Sequence, residues 1–115
     1  MTDDPDLMRL QLRLARLWNE VARQPARPWR IEELAAQCGF SAEYFRRVTR
    51  AHYGTSPIGM LQGIRLGLAR EHLLSTNWTL ARIAEEVGYA SPYALSAAFK
   101  RQMSVSPRQY RKNNA

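Results

Sequence analysis

Cysteine is almost missing from this chain. Cys38 stands alone and cannot form an internal disulfide, which fits a reducing cytoplasm. Long apolar runs are missing too: none approaches the ~20 residues that span a membrane. The opening stretch, Met1-Thr-Asp-Asp-Pro-Asp6, carries three aspartates and no base, unlike the basic start of a signal peptide. No membrane partner is therefore expected. His52 and His72 are the only histidines, and neither falls in a Cys/His/Asp/Glu set with metal-ligand spacing. No strand pattern is evident, so no glycine-rich loop follows a strand to cradle a phosphate. Cys38 lies just before a turn glycine and reads as a small core residue rather than a nucleophile. His52 fits a packed helix position. These absences argue against an enzyme, and no metal or cofactor is expected.

Acidic residues are also scarce. Seventeen Lys and Arg face ten Asp and Glu across 115 residues, a formal net charge of +7. The excess lies after the acidic start and points to a polyanionic partner.

What is present is a repeat. Ile31-Glu-Glu-Leu-Ala-Ala-Gln-Cys-Gly-Phe40 is echoed by Leu80-Ala-Arg-Ile-Ala-Glu-Glu-Val-Gly-Tyr89 at a spacing of 49. Phe45 and Leu95, Arg50 and Lys100, and Ser56-Pro57 and Ser106-Pro107 then pair at a spacing of 50, so the second copy has one residue inserted after its glycine. A short helix, a glycine turn and a second helix, twice over, predict tandem helix-turn-helix units. The fold class is all-α, with two helix-turn-helix subdomains joined by a long central helix, about seven helices together. Residues 1–56 form a brace helix and the first unit, 57–75 the linking helix, and 76–115 the second unit with a C-terminal helix.

The element boundaries follow from local chemistry. Asp4 caps the first helix, with Pro5 at its first position. Leu7, Leu10, Leu14, Leu17, Trp18 and Val21 make its apolar face, and Pro25 and Pro28 end it. Trp29 with Leu34, and Trp78 with Ile83, read as hydrophobic staples at the next helix starts. Thr79 is a good cap; Arg30 is a poor one, with Glu33 as a partial substitute. Gly39 and Gly88 close the short helices in the left-handed conformation. Ser41 and Ser91 cap the second helices, and Ser56 and Ser106 cap the two that begin with proline. Phe45, Val48 and His52 should point inward in the first copy, and Leu95, Ala98, Phe99 and Met103 in the second. Met60, Leu61, Ile64, Leu68 and Leu73 should line the linking helix. Its Gly59, Gly63 and Gly67 mark a soft, partly exposed helix rather than a packing face. Arg108, Arg111 and Lys112 form a basic end.

The opposite faces carry the candidate chemistry. Arg46 and Arg47 suit guanine O6 and N7, and Glu43 can accept from a cytosine amino group. With Ala42, these form the reading surface of the first copy. Pro92, Tyr93, Ser96 and Ala97 take the same places in the second. Arg50, Lys100, Arg101 and Arg108 sit where phosphates are expected.

The ordered motifs Glu33-Leu-Ala-Ala-Gln-Cys-Gly-Phe-Ser41, Gly54-Thr-Ser-Pro57, Arg65-Leu66, Ala69-Arg70, Ile83-Ala-Glu-Glu-Val-Gly-Tyr89 and Val105-Ser-Pro-Arg-Gln-Tyr-Arg111 resemble the DNA-binding domain of the AraC/XylS family of bacterial transcription regulators. The resemblance runs from about residue 10 to residue 112. It implies two reading helices in successive major grooves of double-stranded DNA, bound as a monomeric unit, and it admits contact with RNA polymerase. Many members carry a regulatory domain before this region; the chain is then either a short stand-alone regulator or a C-terminal domain. It departs from the family pattern at Pro92, Tyr93, Leu95, Ala97 and Met103-Ser104. Leu95 and Met103 are apolar replacements that leave the fold expectation intact, and the other departures fall mainly on the second reading face. A protein-interaction module on the same scaffold is the main alternative, and it would bind without a steep dependence on salt.

Overall fold

The computed structural model describes residues 5–115. Those residues form seven helices: α1 Pro5–Arg23, α2 Ile31–Gln37, α3 Ala42–Tyr53, α4 Pro57–Ser75, α5 Leu80–Val87, α6 Pro92–Met103 and α7 Pro107–Asn113. The expected cap at Asp4 lies outside the described residues.

The chain makes two compact units. The first holds the described residues up to Gln24 with Pro28–Leu61; the second holds Pro25–Arg27 with Gln62–Ala115. The boundary falls inside α4. That helix, the expected link at 57–75, has residues in both units.

In the first unit, Leu14, Leu17, Trp18 and Val21 of α1 are buried, and Trp18 stacks on Phe45 of α3 with centroids 6.0 Å apart. The apolar face of α1 is shorter than its periodicity suggests. Leu7 is 47% exposed and lines an open cavity with Leu10, Val48, Ala51 and His52. Cys38 is a buried core residue, as its position before the glycine implies. His52 is exposed rather than packed, with its ring edge-on to Tyr53 at 4.6 Å. Thr49, one turn earlier, is the fully buried residue, since the last turn of α3 lies past the core.

In the second unit, Leu66, Ala69 and Leu73 of α4 pack with Ile83, Ala84 and Val87 of α5 and with Leu95, Ala98 and Phe99 of α6. Trp78, Tyr89, Met103 and Tyr110 close the edges, so the staple at Trp78 joins the same cluster as Ile83. Each fully buried aliphatic side chain contributes roughly 1.5–3 kcal/mol.

The caps form as the residue types predict. Ser41, Thr79, Ser91 and Ser106 accept from the backbone N–H groups of Tyr44, Arg82, Ala94 and Gln109 at 3.0–3.1 Å. Ser56 accepts from Gly59 N–H at 3.1 Å. Arg30 makes no side-chain cap bond. Gly39 and Gly88 take φ of +75° and +100°, which frees the chain to turn sharply into α3 and α6. A Cβ on Gly63 or Gly67 would meet nothing within 4 Å, so these are not close-packing contacts.

Candidate nucleic-acid interface

The outward face of the first unit begins at the Gly39 turn. Phe40 N–H reaches back to Ala35 O at 2.9 Å and Gly39 N–H to Ala36 O at 2.9 Å, which ends α2 in a Schellman motif. Arg13 of α1 supports the same turn: its guanidinium donates to Cys38 O at 3.4 Å and lies 5.9 Å from the Phe40 ring centroid. With α2 ended and Ser41 capping α3, the helix presents Glu43, Arg46, Arg47 and Arg50 to solvent. Ala42 is half-buried in the first turn. The Arg46 guanidinium is 4.0 Å from the Glu32 carboxylate, and both side chains are largely exposed, so this pair holds Arg46 only weakly. The Arg47 guanidinium lies 5.3 Å from the Tyr44 ring centroid, and Tyr44 in turn meets Phe40 edge-on at 5.0 Å. Tyr44 is a surface residue that the sequence reading passed over. Its place three residues before Arg47 was the signal, because positions i and i+3 share a helix face.

In the second unit, Gly88 and Tyr89 N–H groups both reach Ala84 O, at 2.9 and 2.8 Å. α6 then exposes Tyr93, Ala97, Lys100 and Arg101, with Pro92 and Ser96 half-buried. Tyr93 is 84% exposed. Burial pushes the Tyr89 hydroxyl above its usual pKa, against the pull of Arg65 and then Arg101. Arg108 is exposed near the start of α7.

Two further arginines serve the fold. Arg111, expected in a basic end, is turned inward instead. It donates to Leu73 O at 3.0 Å, Trp78 O at 2.9 Å and Thr76 O at 3.2 Å, tying α7 to the end of α4 and the loop into α5. Carbonyls at a helix C-terminus lack intrahelical donors, so a guanidinium there is well matched. Arg65 of α4 donates to Pro25 O at 2.9 Å and Arg27 O at 3.0 Å within the second unit. A Cβ on Gly88 would meet that same Pro25 oxygen at 2.7 Å and Arg65 Nε at 2.8 Å.

Among the described residues no group of three His, Cys, Asp or Glu could hold a metal ion. Burial raises the Cys38 thiol above its usual pKa, against the pull of Arg13, which leaves it a poor nucleophile.

A glycine turn between a short helix and a capped, outward-facing second helix, built twice, defines a tandem helix-turn-helix protein. A helix-turn-helix domain family matches residues 34–113. The transcriptional regulator AlkR of Acinetobacter baylyi is 36% identical over 115 residues, an alignment covering 97% of this chain and 38% of AlkR. The C-terminal domain of AraT, a response regulator from Geobacillus stearothermophilus, superposes with a TM-score of 0.83 at 35% identity, covering 91% of this chain and 88% of that one. The DNA-binding domain of the global transcriptional factor AdpA, solved in complex with a target DNA, gives 0.82 at 29% identity, covering 87% and 90%. The chain belongs to the AraC-type helix-turn-helix family. It spans 30–38% of the length of the curated relatives AlkR and two AraC-like regulators from Streptomyces.

Proposed function

We propose that this chain is the sequence-specific double-stranded DNA-binding part of a bacterial transcription regulator, acting in the cytoplasm. The observation that carries the reading is the outward face of α3, where Glu43, Arg46, Arg47 and Arg50 stand exposed directly after a glycine turn and a serine cap. The similarity to the AdpA domain, whose structure holds a target DNA, supports it. In this reading Arg46 and Arg47 address guanine and Glu43 addresses cytosine, with Ala42 lining the first turn. Tyr93, Ser96 and Ala97, with Pro92 at the first turn, face the bases in the second unit. Arg50, Lys100, Arg101 and Arg108 neutralise phosphates.

One polypeptide supplies both reading helices, so we further propose that a single chain occupies two half-sites in successive major grooves without dimerising. RNA polymerase is proposed as a second partner on the family resemblance alone. The chain is read as a binding module and not as an enzyme.

The test is the salt dependence of binding to duplex DNA. Four neutralised phosphates give a slope of log K against log salt of about −3.6. Binding that is flat in salt would support a protein-interaction module instead.

A further inference from the structure

We infer that the second unit recognises thymine through its 5-methyl group, with Tyr93 as the specificity-determining residue. The inference rests on the DNA-binding reading above and names what that surface selects.

The first ground is elimination. Between Ser91 and Phe99 the helix α6 carries no charged residue and no amide side chain. Guanine is read by Arg or Lys, adenine by Asn or Gln, and cytosine by Asp or Glu. None of these is present before Lys100. The Ser91 hydroxyl is engaged as the cap, accepting from Ala94 N–H at 3.0 Å. Ser96 is half-buried and sequence-tolerant, since a hydroxyl can serve any base edge. The remaining outward surface is Tyr93, Ala94 and Ala97, which is apolar apart from the tyrosine hydroxyl. Thymine alone offers an apolar group, its methyl, in the major groove.

The second ground is the exposure of Tyr93. In the first unit Tyr44 is 37% exposed and is covered by the Phe40 ring and the Arg47 guanidinium. Tyr93 is 84% exposed, and no ring contact or hydrogen bond engages it among the described residues. It stands at the repeat position of Glu43, one turn before Ala97, so its ring and the alanine methyl share one outward face. A bare ring beside a bare methyl is the surface that a thymine methyl can remove from water.

The experiment uses the 115-residue chain and the best site selected from random duplex DNA. Deoxyuridine replaces thymine one position at a time, which deletes the methyl and leaves the pairing edge unchanged. Loss of one buried methyl changes an equilibrium constant about fourfold. The expected result is a loss of that size at clustered positions in one block, abolished at one or more of them in Tyr93→Ser. Unchanged affinity at every substituted position overturns the inference, as does the same sensitivity persisting in full in Tyr93→Ser. If the all-thymine parent duplex is not bound either, the DNA-binding reading itself has failed, and this inference fails with it.

Discussion

Phe45 of the first repeat and Leu95 of the second are both fully buried. Arg47 and Ala97, two residues further along the same helices, are both exposed and share no chemistry. The pattern extends through both copies. Leu34 and Ile83, and Ala35 and Ala84, match in size and burial, whereas Glu43 faces Tyr93 in the alignment and Arg46 faces Ser96. Buried positions are held by packing, where lost volume costs several kcal/mol. Outward positions carry no such penalty and are free to differ. One scaffold can therefore present a charged outward surface in one unit and an apolar one in the other.

The helix ends differ as well. Gly39 turns in open space, whereas Gly88 turns against Pro25 O and Arg65. Gly54 ends α3 at φ +76°, and its counterpart Ser104 ends α6 at φ +68°, a left-handed conformation that costs a non-glycine residue roughly 1–2 kcal/mol. Arg111 clamps the second unit, while the register-equivalent residue of the first is the buried Leu61.

These contrasts can be broken in order of size. Gly88→Ala should cost about 3 kcal/mol or more in urea unfolding, because strain at positive φ adds to a Cβ clash with fixed backbone. Gly39→Ala should cost only about 1–2 kcal/mol. Equal losses would mean that the Pro25 contact does not constrain the turn. Arg111→Ala follows at about 2–3 kcal/mol, since three carbonyls lose a charged donor together; a neutral result by thermal unfolding would return Arg111 to the basic surface.

On the binding side, Arg47→Ala or Arg46→Ala should weaken the preferred site by about 1–3 kcal/mol and relax one block of it, measured by titration against variant duplexes. Tyr93→Ser should cost about 0.8 kcal/mol, the value of one methyl contact. The reverse ranking would place the dominant reader in the second unit. Ser104→Gly should stabilise the chain by about 1 kcal/mol and Gly54→Ser destabilise it by a similar amount. The smallest effect is Gly63→Ala, a gain under about 1 kcal/mol in an open helix interior, read as a rise in Tm.

What could be read from the sequence was local or periodic. The repeat, the glycine turns and the five serine and threonine caps depend on residues within a few positions of each other. The inward faces of α3 and α6 were legible at Phe45, Leu95, Ala98 and Phe99 for the same reason. Leu7 and His52 were not, because periodicity says which way a side chain points but not whether a partner surface is there. Arg65 and Arg111 find their carbonyls 33 to 40 residues away, and no local pattern encodes that. Leu66, Ala69 and Leu73 of α4 are likewise committed to α5 and α6 by long-range packing. The outward candidates on α3 and α6 were legible as a face; which base each one meets remains the proposal.

The most direct test of asymmetric reading by a single chain is selection of binding sites from random duplex DNA. The account predicts an asymmetric site of about two helical turns with two separated blocks. One block, rich in guanine and cytosine, should carry most of the information. The other should be weaker and rich in thymine. A palindrome with equal information in both halves would contradict it.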